Sequence, residues 1–529
     1  MGEGSYLIEN LTIYDGKGNP PIDGALLIEG SRISAVGEIS SDEIDEDVER
    51  IDADGLCAAP GFVNIHSHSD TAILMNPHAD NLLMQGITTE VGGNCGFSAC
   101  FPAAWDNSRW KTLSAQGLSQ RWNDVETYLA AVKSAEPAVN YATLIGHGSV
   151  RQAVAEGSSE RLTEEQMDLM NQFIRTAILQ GAWGVSTGLE YLPGRFADTN
   201  ELVKISKTVA DLNGMHSCHL RDEGNDFLDA VDEAVEIAER SGVRMEVAHL
   251  KVCGQLNWGE VEEALDKMRM ARQKHGANIS ADFYPYLASS TSLSIILPDW
   301  ALQEGAESAL ELLDYPDTRE KVARDVQHHT MVQGGWSKVV VTGVNTEANR
   351  HLQGKSIAEI STDQGCSPVE CALNLIQEEG MGVRIARFAI GEDDLREVIS
   401  APTTCLITDG SVESASQDAS LPHPRSFGAF PRFLAHYARD EQVIPVEKAI
   451  QKMTSLPAEK LNLPDRGVLQ EGKPADVVIF DLDQLSDCAT YSKPRQHPEG
   501  IHTVFVNGEP AVWEGQSTGN RNGMVLKSM

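Results

Sequence analysis

The sequence is poor in positive charge. It holds 42 Lys and Arg residues against 78 Asp and Glu residues in a chain of 529, so its formal net charge is 42 minus 78, or -36. Surfaces that bind phosphate backbones or anionic lipid need clustered Lys and Arg side chains. We therefore expect neither nucleic acid nor a membrane surface to be a partner of this chain.

Long apolar runs and paired cysteine motifs are also missing. No stretch approaches the roughly 20 apolar residues that span a bilayer. The first residues, MGEGSYLIENLTIYDG, lack the basic and then apolar pattern of a secretory signal. The nine cysteines are odd in number and form no CxxC pair, which favours reduced thiols over a disulfide framework. These features predict a cytoplasmic protein.

Both ends of the chain have the pattern of short antiparallel strands. Apolar and polar residues alternate in YLIENLTIYDG near the start and in HTVFVNGEPAVWEGQ near the end, with turn residues between such segments. Each end is too short to bury a core of its own. We expect residues 1–58 and 466–529 to form one small β-sandwich domain together, with residues 59–465 as a single folded unit between them.

The middle of the chain alternates short apolar strand candidates with helical patterns. Eight such units in one run are typical of a (β/α)8 barrel of the TIM type, whose active site lies at the carboxyl ends of the strands. The candidates are residues 61–68, 86–93, 142–148, 182–188, 214–220, 244–250, 277–283 and 404–409. About 120 residues separate the last two candidates, far more than a crossover needs. Residues 284–403 are therefore predicted to be an inserted subdomain that helps to bind the substrate.

Residues of metal-ligand type follow the predicted strands. His66 and His68 are two apart on the first strand, so both imidazoles lie on one face, and His219, His249 and Asp409 end later strands. A lone histidine at such a place is most often a hydrogen-bonded core or surface residue. Five residues of this type at four strand ends instead favour a metal site above the barrel.

Cys95 lies in the loop that follows the second strand candidate, in the sequence GGNCGFS. A buried cysteine is usually just a small apolar residue. The neighbouring glycines, however, let the backbone approach a ligand closely, and this loop is at the catalytic end of the predicted barrel. A thiolate there favours zinc over magnesium or manganese.

Eight motifs occur in a fixed order along the chain: PGFVNIHSHSD, GITTEVGGNCGFS, STGLEYLPG, HLRDEG, VAHLKVCG, FYPYLASSTSL, ITDGS and HPRSFGAFPRFL. Together they resemble the D-aminoacylase (N-acyl-D-amino-acid deacylase) family of the amidohydrolase superfamily, over essentially the whole chain. The resemblance implies a distorted barrel with one tightly held zinc and a second, weaker metal position. It also implies hydrolysis of the amide bond of N-acyl-D-amino acids.

The resemblance further implies which residues hold the metals. Cys95, His219 and His249 match the ligands of the tight zinc. His66, His68 and Asp409 match the weaker position, with Cys95 able to bridge. The fourth predicted strand reads AWGVSTG and has no lysine, so it lacks the carboxylated lysine that bridges the metals of dihydroorotases.

Several residues match substrate-binding positions of the family. A substrate carboxylate calls for an Arg fork or a Lys charge, with hydroxyl donors nearby. The matching residues are Tyr191, Lys251, Tyr284, Ser290 and Arg425. Arg221 and Glu223, in HLRDEG, are expected either to orient His219 or to form a structural ion pair.

These observations predict a zinc-dependent hydrolase of a small-molecule N-acyl amino acid. Asp409 would take a proton from metal-activated water and pass it to the leaving nitrogen. The preference for D-amino acids comes from the resemblance alone. Two alternatives stay open: hydrolysis of another carboxylate-bearing amide, such as a cyclic imide, a hydantoin or a dipeptide, and a metal-binding relative without catalysis.

Overall fold

The structure, a computed structural model, describes residues 4–40, 44–45, 48–102, 105, 107–118, 120–156, 158–329, 334–416 and 420–528. Its strands are β1 Ser5–Ile13, β2 Ile22–Glu29, β3 Arg32–Gly37, β4 Glu49–Asp52, β5 Cys57–Pro60, β6 Phe62–Asn64, β7 Ile87–Gly92, β8 Asn140–Thr143, β9 Ile145–Gly146, β10 Gly184–Gly188, β11 Met215–His219, β12 Arg244–Val247, β13 Ile279–Phe283, β14 Ala288–Ser292, β15 Val339–Gly343, β16 Arg384–Phe388, β17 Thr404–Leu406, β18 Val477–Phe480, β19 Ile501–Val506, β20 Glu509–Trp513 and β21 Gln516–Ser517.

Its α-helices are α1 Ala72–Met75, α2 Asp80–Leu83, α3 Asn107–Ala115, α4 Val125–Ala135, α5 His147–Ala155, α6 Glu164–Leu179, α7 Thr199–Asp211, α8 Phe227–Ser241, α9 Glu260–Met270, α10 Asp299–Leu302, α11 Ala306–Leu312, α12 Pro316–Val326, α13 Ile357–Gln364, α14 Pro368–Glu378, α15 Glu392–Ser400, α16 Arg425–Arg432, α17 Val446–Met453 and α18 Ser455–Leu461. Short 3-10 segments span Gly194–Phe196, Leu293–Ile296, Trp336–Lys338 and Arg350–Leu352, and π-helical segments span Ala271–His275 and Phe433–Asp440. Among the described residues, no helix combines the length and the apolar character needed to cross a bilayer.

Strands from the two ends of the chain form one nine-stranded sheet. Its order is β21-β20-β19-β18-β5-β1-β2-β3, and β4 also pairs with β1. The two ends join where β5 runs antiparallel to β18. Because apolar residues alternate along the strands, one face buries Ile8, Leu26 and Phe505, while Leu7 and Leu27 form a smaller cluster on the other. The two-ended β domain of the predicted fold class is confirmed.

The eight predicted strands in the middle part of the chain form the parallel wall of a barrel. They appear as two sheets, ordered β6-β7-β8 and β9-β10-β11-β12-β13-β17, because the third predicted strand is divided into β8 and β9. Backbone hydrogen bonds join the sheets on both sides: Leu144 N donates to Gly92 O at 2.9 Å, and His68 N donates to Gly410 O at 2.7 Å. The predicted (β/α)8 fold class is confirmed, in a barrel whose wall is split in two.

A subdomain lies between β13 and β17. Strands β14, β15 and β16 form an antiparallel sheet with β16 in the middle. Helices α10–α14 share an apolar cluster with this sheet, around Val322, Ile357 and Ile385. Helix α15 differs, because Leu395 and Val398 on its apolar side belong to the barrel core. The insertion therefore has a core of its own that ends before α15, ahead of the predicted limit at residue 403.

A buried polar network ties the terminal β domain to the barrel. Asp476, just before β18, accepts a hydrogen bond from the Arg466 guanidinium and another from Asn507 N at 2.8 Å. It also accepts one from Asn140 Nδ2 at 3.0 Å, and Asn140 begins barrel strand β8. All four residues are buried. An ion pair in such surroundings adds little net stability when intact, but the loss of one partner leaves an uncompensated charge.

The Asp476→Ala substitution would leave the Arg466 guanidinium buried without its charge partner. We expect the free energy of unfolding to fall by about 3–5 kcal/mol, measured by urea denaturation. The matched control, Glu236→Ala, removes an exposed pair with Arg240 and is expected to cost less than about 0.5 kcal/mol. Equal stability of the two variants would contradict the role given to this network.

Candidate metal centre

The carboxyl ends of the barrel strands open into a cavity of about 1130 Å³. Its wall is built from loops that follow the strands and from the inserted sheet. The cavity brings together most residues that the sequence predicts to be functional. Those that line it are His68, Cys95, Tyr191, His219, Glu223, His249, Lys251, Tyr284, Ser290, Asp409 and Arg425.

Three side chains converge at the floor of the cavity, those of Cys95, His219 and His249. Cys95 Sγ lies 3.5 Å from His249 Nε2, and His249 Nε2 lies 3.0 Å from His219 Nδ1. All three residues are buried, and their ligand atoms lie within 4.8 Å of one another. A thiolate and two imidazoles at these separations can hold one metal ion.

A second group of ligand atoms also includes Cys95. His66 Nε2 lies 3.3 Å from Cys95 Sγ. Asp409 Oδ1 lies 3.6 Å from His66 Nε2 and 3.0 Å from His68 Nε2. These atoms also fall within 4.8 Å of one another. Cys95 belongs to both groups, so its sulfur lies within reach of both sets of ligand atoms.

Three of these residues have a left-handed backbone conformation, which residues other than glycine adopt rarely. The φ angle is +51° at Cys95, +36° at His249 and +49° at Asp409. Each residue stands just beyond a barrel strand, where the chain turns over the mouth. Strain of this kind concentrates at functional sites, so the backbone marks the same place as the ligand atoms do.

Neighbouring charges of opposite sign stabilise the ionised forms of the residues in this cluster. Burial alone would raise the pKa of the Cys95 thiol, but the adjacent His66 lowers it well below its usual value. Burial also opposes ionisation of Asp409, and the neighbouring Arg425 nevertheless holds its pKa well below the usual value. For His68, whose side chain is 40% exposed, the partial loss of hydration is outweighed by the hydrogen bond to Asp409, and the pKa rises to about 9. The site thus presents a thiolate and a carboxylate to any cation that enters.

Carboxylates hold the outer nitrogens of two histidines. Glu190 Oε2 accepts a hydrogen bond from His219 Nε2 at 3.1 Å. Glu223 Oε1 lies 3.0 Å from His249 Nδ1 but is farther from His219 Nε2, at 4.0 Å. A carboxylate behind an imidazole fixes its ring and leaves the other nitrogen free for a metal. Glu223 therefore acts mainly on His249, and Glu190 takes the place beside His219.

Sequence reasoning missed two of the acids at this site. Glu190 precedes the predicted Tyr191 in GLEYLPG, and this motif was the available signal. Asp282 stands near the end of β13, accepts a hydrogen bond from the backbone N of His249, and lies 3.4 Å from His66 Nδ1. Asp282 could have been identified from the sequence because it is an acidic residue near the end of a barrel strand, as Asp409 is.

Arg221 turns away from the metal ligands. Its guanidinium donates to both carboxylate oxygens of Glu233 on α8, at 2.8 and 2.9 Å, and to the backbone carbonyls of Arg195 and Ala197. This corrects the prediction that Arg221 orients His219. The alternative of an ion pair between Arg221 and Glu223 is wrong as well, because α8 places Glu233 beside Arg221 and Glu223 pairs with Lys251 and His249.

Unsatisfied donors gather next to Asp409. Arg425 Nη1 lies 2.8 Å from Asp409 Oδ2. Within the described part of the chain, however, Nε and Nη1 of Arg425 and the hydroxyl of Tyr284 make no well-directed hydrogen bond. The Arg425 guanidinium lies 4.6 Å from the centre of the Tyr284 ring. Burial raises the pKa of Tyr284, so its hydroxyl stays protonated and can donate.

The other predicted substrate contacts line the cavity with partners of their own. Lys251 Nζ lies 2.6 Å from Glu223 Oε1. The hydroxyls of Tyr191 and Thr291 are 3.2 Å apart. Ser290 stands on β14, so the inserted sheet reaches the cavity at this point. Lys251 therefore forms part of a charged wall, and Ser290 offers a hydroxyl at the rim.

The donor set fits zinc. Thiolate, imidazole and carboxylate are the three side-chain types that bind zinc in proteins, and the thiolate disfavours magnesium and manganese. Strand β10 reads GVSTG, so no lysine is available there as a bridge. The sulfur of Cys95, which is common to both groups, would take that place.

A lowered thiol pKa predicts selective alkylation of Cys95 in metal-free protein. The pKa of Cys95 lies well below the ordinary value, so the thiolate persists as the pH falls. Burial raises the pKa of Cys100 and of Cys371 to about 12. Between pH 8 and pH 6 the rate of Cys95 alkylation by iodoacetamide should fall less than about threefold. The alkylation rate of an ordinary thiol falls roughly 100-fold over the same range. Peptide mass spectrometry measures this, and an ordinary pH slope at Cys95 would contradict the charge arrangement.

Comparison with known proteins identifies the family. A family model described as "Amidohydrolase family" matches residues 49–512. The D-aminoacylase of Alcaligenes xylosoxydans xylosoxydans is 32% identical over 523 residues, which cover 98% of this chain and 97% of that protein.

Solved structures match over the whole length. The N-acyl-D-glutamate deacylase of Bordetella bronchiseptica, complexed with zinc and a phosphonate that mimics the tetrahedral intermediate, has a TM-score of 0.82 at 30% identity and covers 100% of both chains. A D-aminoacylase with a binuclear metal centre, described by one-metal activation and second-metal attenuation, has a TM-score of 0.82 at 30% identity and covers 99% of both chains. Similarity of this extent in sequence and structure shows that the chain belongs to the D-aminoacylase branch of the amidohydrolase family.

Proposed function

We propose that this protein is a zinc-dependent hydrolase of N-acyl-D-amino acids, which releases a D-amino acid and a carboxylate. The single observation that carries the proposal is the placement of unsatisfied Arg425 and Tyr284 donors directly beside Asp409 and the metal-ligand cluster. A carboxylate bound there would hold the scissile amide of an N-acyl amino acid over the ligands. The D preference follows from the relatives, which act on D substrates.

The ligands divide into a tight and a weaker position. Cys95, His219 and His249 would hold the tight zinc. His66, His68 and Asp409 would hold the weaker metal, with Cys95 able to bridge. A bound zinc would supply Lewis acidity toward the scissile carbonyl and toward the attacking water.

Asp409 is the general base and acid of this proposal. Its carboxylate is ionised because Arg425 lowers its pKa well below the usual value, so it can accept a proton from the attacking water. Its Oδ1 lies 3.0 Å from His68 Nε2 and 3.6 Å from His66 Nε2, among the metal-ligand atoms. Once protonated, Asp409 donates to the nitrogen of the leaving amine.

Arg425 and Tyr284 bind the substrate carboxylate, with Ser290 and Lys251 at the edge of the same pocket. Arg425 then lies between two carboxylates, its own partner Asp409 and that of the substrate. Because Arg425 is then shared between two carboxylates, it stabilises the ionised form of Asp409 less. The pKa of Asp409 therefore rises, and Asp409 is a stronger base when substrate is bound. Tyr191 packs with its ring 4.7 Å from the His219 ring and closes the opposite side.

A cyclic substrate and a noncatalytic relative are the weaker alternatives in this geometry, whereas a dipeptide carries a carboxylate that the same donors would bind. A hydantoin or cyclic imide carries no free carboxylate, so it would leave the buried donors of Arg425 and Tyr284 unpaired, which costs binding energy. A relative without catalysis would need Asp409 only as a metal ligand, and it would have no use for the unpaired buried donors of Arg425 and Tyr284. All nine cysteines are free, which supports the proposal of a reducing, cytoplasmic location, and the charge of -36 argues against a nucleic-acid partner.

Replacing the base separates binding of metal from turnover. Asp409→Asn keeps the size and can still accept a hydrogen bond from His68, but it cannot take a proton. We expect kcat to fall by about 10²–10⁴, with one tight zinc per chain retained by elemental analysis. Asp394→Asn, a change at a buried acid that accepts a hydrogen bond from Gly259 N, is the control. A near-normal rate for Asp409→Asn would refute its role.

An enantiomer-resolved substrate panel tests the proposed reaction. On protein of measured zinc content, N-acetyl-D-methionine and N-acetyl-D-glutamate are compared with their L enantiomers, and dihydrouracil serves as the ring substrate. We expect kcat/KM for at least one D compound to exceed that of its L form by at least about 100-fold. Preference for the ring substrate would favour the cyclic-amide alternative, and zinc without turnover of any compound would favour the noncatalytic one.

A further inference from the structure

The turn that carries Cys95 is closely enclosed by backbone. Gly93 and Gly96, on either side of Cys95, have φ angles of +80° and +79°. A Cβ atom on Gly188 would lie 2.1 Å from Cys95 O, and one on Gly93 would lie 2.2 Å from Leu144 O. Neighbouring strands therefore leave this turn little room, and its left-handed Cys95 needs support from specific contacts.

Ser186 provides one such contact from inside the turn. Its hydroxyl donates to Gly93 O at 2.5 Å and accepts from Gly96 N at 3.1 Å. One side chain thus joins the residues two before and one after Cys95. Ser186 is fully buried in strand β10, where sequence reasoning assigns it no role.

Asp70 provides the other contact, across the whole loop. Its Oδ2 accepts from Gly93 N at 3.0 Å, and its Oδ1 accepts from Ala99 N at 3.0 Å. The two carboxylate oxygens therefore hold the beginning and the end of the segment that contains Cys95. Asp70 is itself anchored, because its backbone carbonyl accepts from the Tyr128 hydroxyl at 2.8 Å.

We propose that Ser186 and Asp70 are positioning residues that set the sulfur of Cys95 in its bridging place before any metal binds. This inference rests on the proposed function, in which Cys95 is a zinc ligand. Neither side chain belongs to the two groups of metal-ligand atoms, and Asp70 lines the same cavity. Their action is to hold the left-handed turn closed, so that the protein does not have to order the loop when zinc arrives.

Two variants remove the contacts separately. Ser186→Ala deletes both hydrogen bonds of the hydroxyl. Asp70→Asn leaves one oxygen for two backbone amides and turns a donor toward the other. For each we expect the zinc dissociation constant, measured by chelator competition, to rise roughly 10–100-fold. In cobalt-substituted protein we expect the thiolate-to-cobalt charge-transfer absorption to weaken, because that band reports on Cys95 directly.

A matched control distinguishes positioning from loss of stability. Ser206→Ala also deletes a fully buried hydroxyl in the same half of the barrel, where Ser206 Oγ lies 2.9 Å from His216 Nδ1. It should keep the zinc dissociation constant and the cobalt band of the native protein. If Ser186→Ala and Asp70→Asn also keep both, the inference is overturned.

Cys95→Ala separates this inference from the proposed function. If Cys95→Ala lowers zinc affinity while the two positioning variants do not, only the inference fails. If Cys95→Ala binds zinc as tightly as the native protein, the ligand assignment fails and the inference with it.

Metal-free native protein gives a test without any substitution. A preformed turn should protect the amides of Gly93, Gly96 and Ala99 from hydrogen exchange to the same degree, within about threefold, with and without zinc. Exchange of the segment 92–99 at the rate of an open loop in metal-free protein would overturn the inference.

Discussion

A buried thiolate requires positive charge around it, and the centre of this molecule is arranged to provide it. Cys95 is only 5% exposed, and an isolated anion at that depth would take up a proton. His66 and His249 lie 3.3 and 3.5 Å from its sulfur. Asp282 stands behind His66 and Glu223 behind His249. In metal-free protein the Cys95 thiolate, protonated His66 and Asp282 therefore alternate in charge outward from the sulfur, and removal of one leaves its neighbour uncompensated.

The barrel accounts for the meeting of residues that are far apart in sequence. Parallel strands all end on one side, so ligands that follow β6, β7, β11, β12 and β17 reach the same cavity. The inserted sheet adds Ser290 at its rim. The polar network of Asn140 and Asp476 instead lies at the beginning of β8, toward the amino ends of the strands. The polar network that stabilises the fold and the metal-ligand residues thus lie at opposite ends of the same barrel.

The sequence allowed the barrel strands and the ligand types to be predicted, because each depends on local pattern. An alternation of strand and helix identifies the strands, and a polar residue at a strand end identifies a ligand. The partners of these residues could not be predicted in the same way. Arg221 pairs with Glu233 rather than Glu223, and Glu190 rather than Glu223 holds His219. Such choices depend on the direction of each side chain, which only the packed helices and loops determine.

In the proposed centre the thiolate of Cys95 is a ligand of the zinc. X-ray absorption at the zinc edge, on native protein with one zinc per chain, tests this assignment. We expect one sulfur at about 2.3 Å together with nitrogen and oxygen at about 2.0–2.2 Å, and loss of the sulfur contribution in Cys95→Ala. A zinc coordinated by nitrogen and oxygen alone in the native protein would contradict the account.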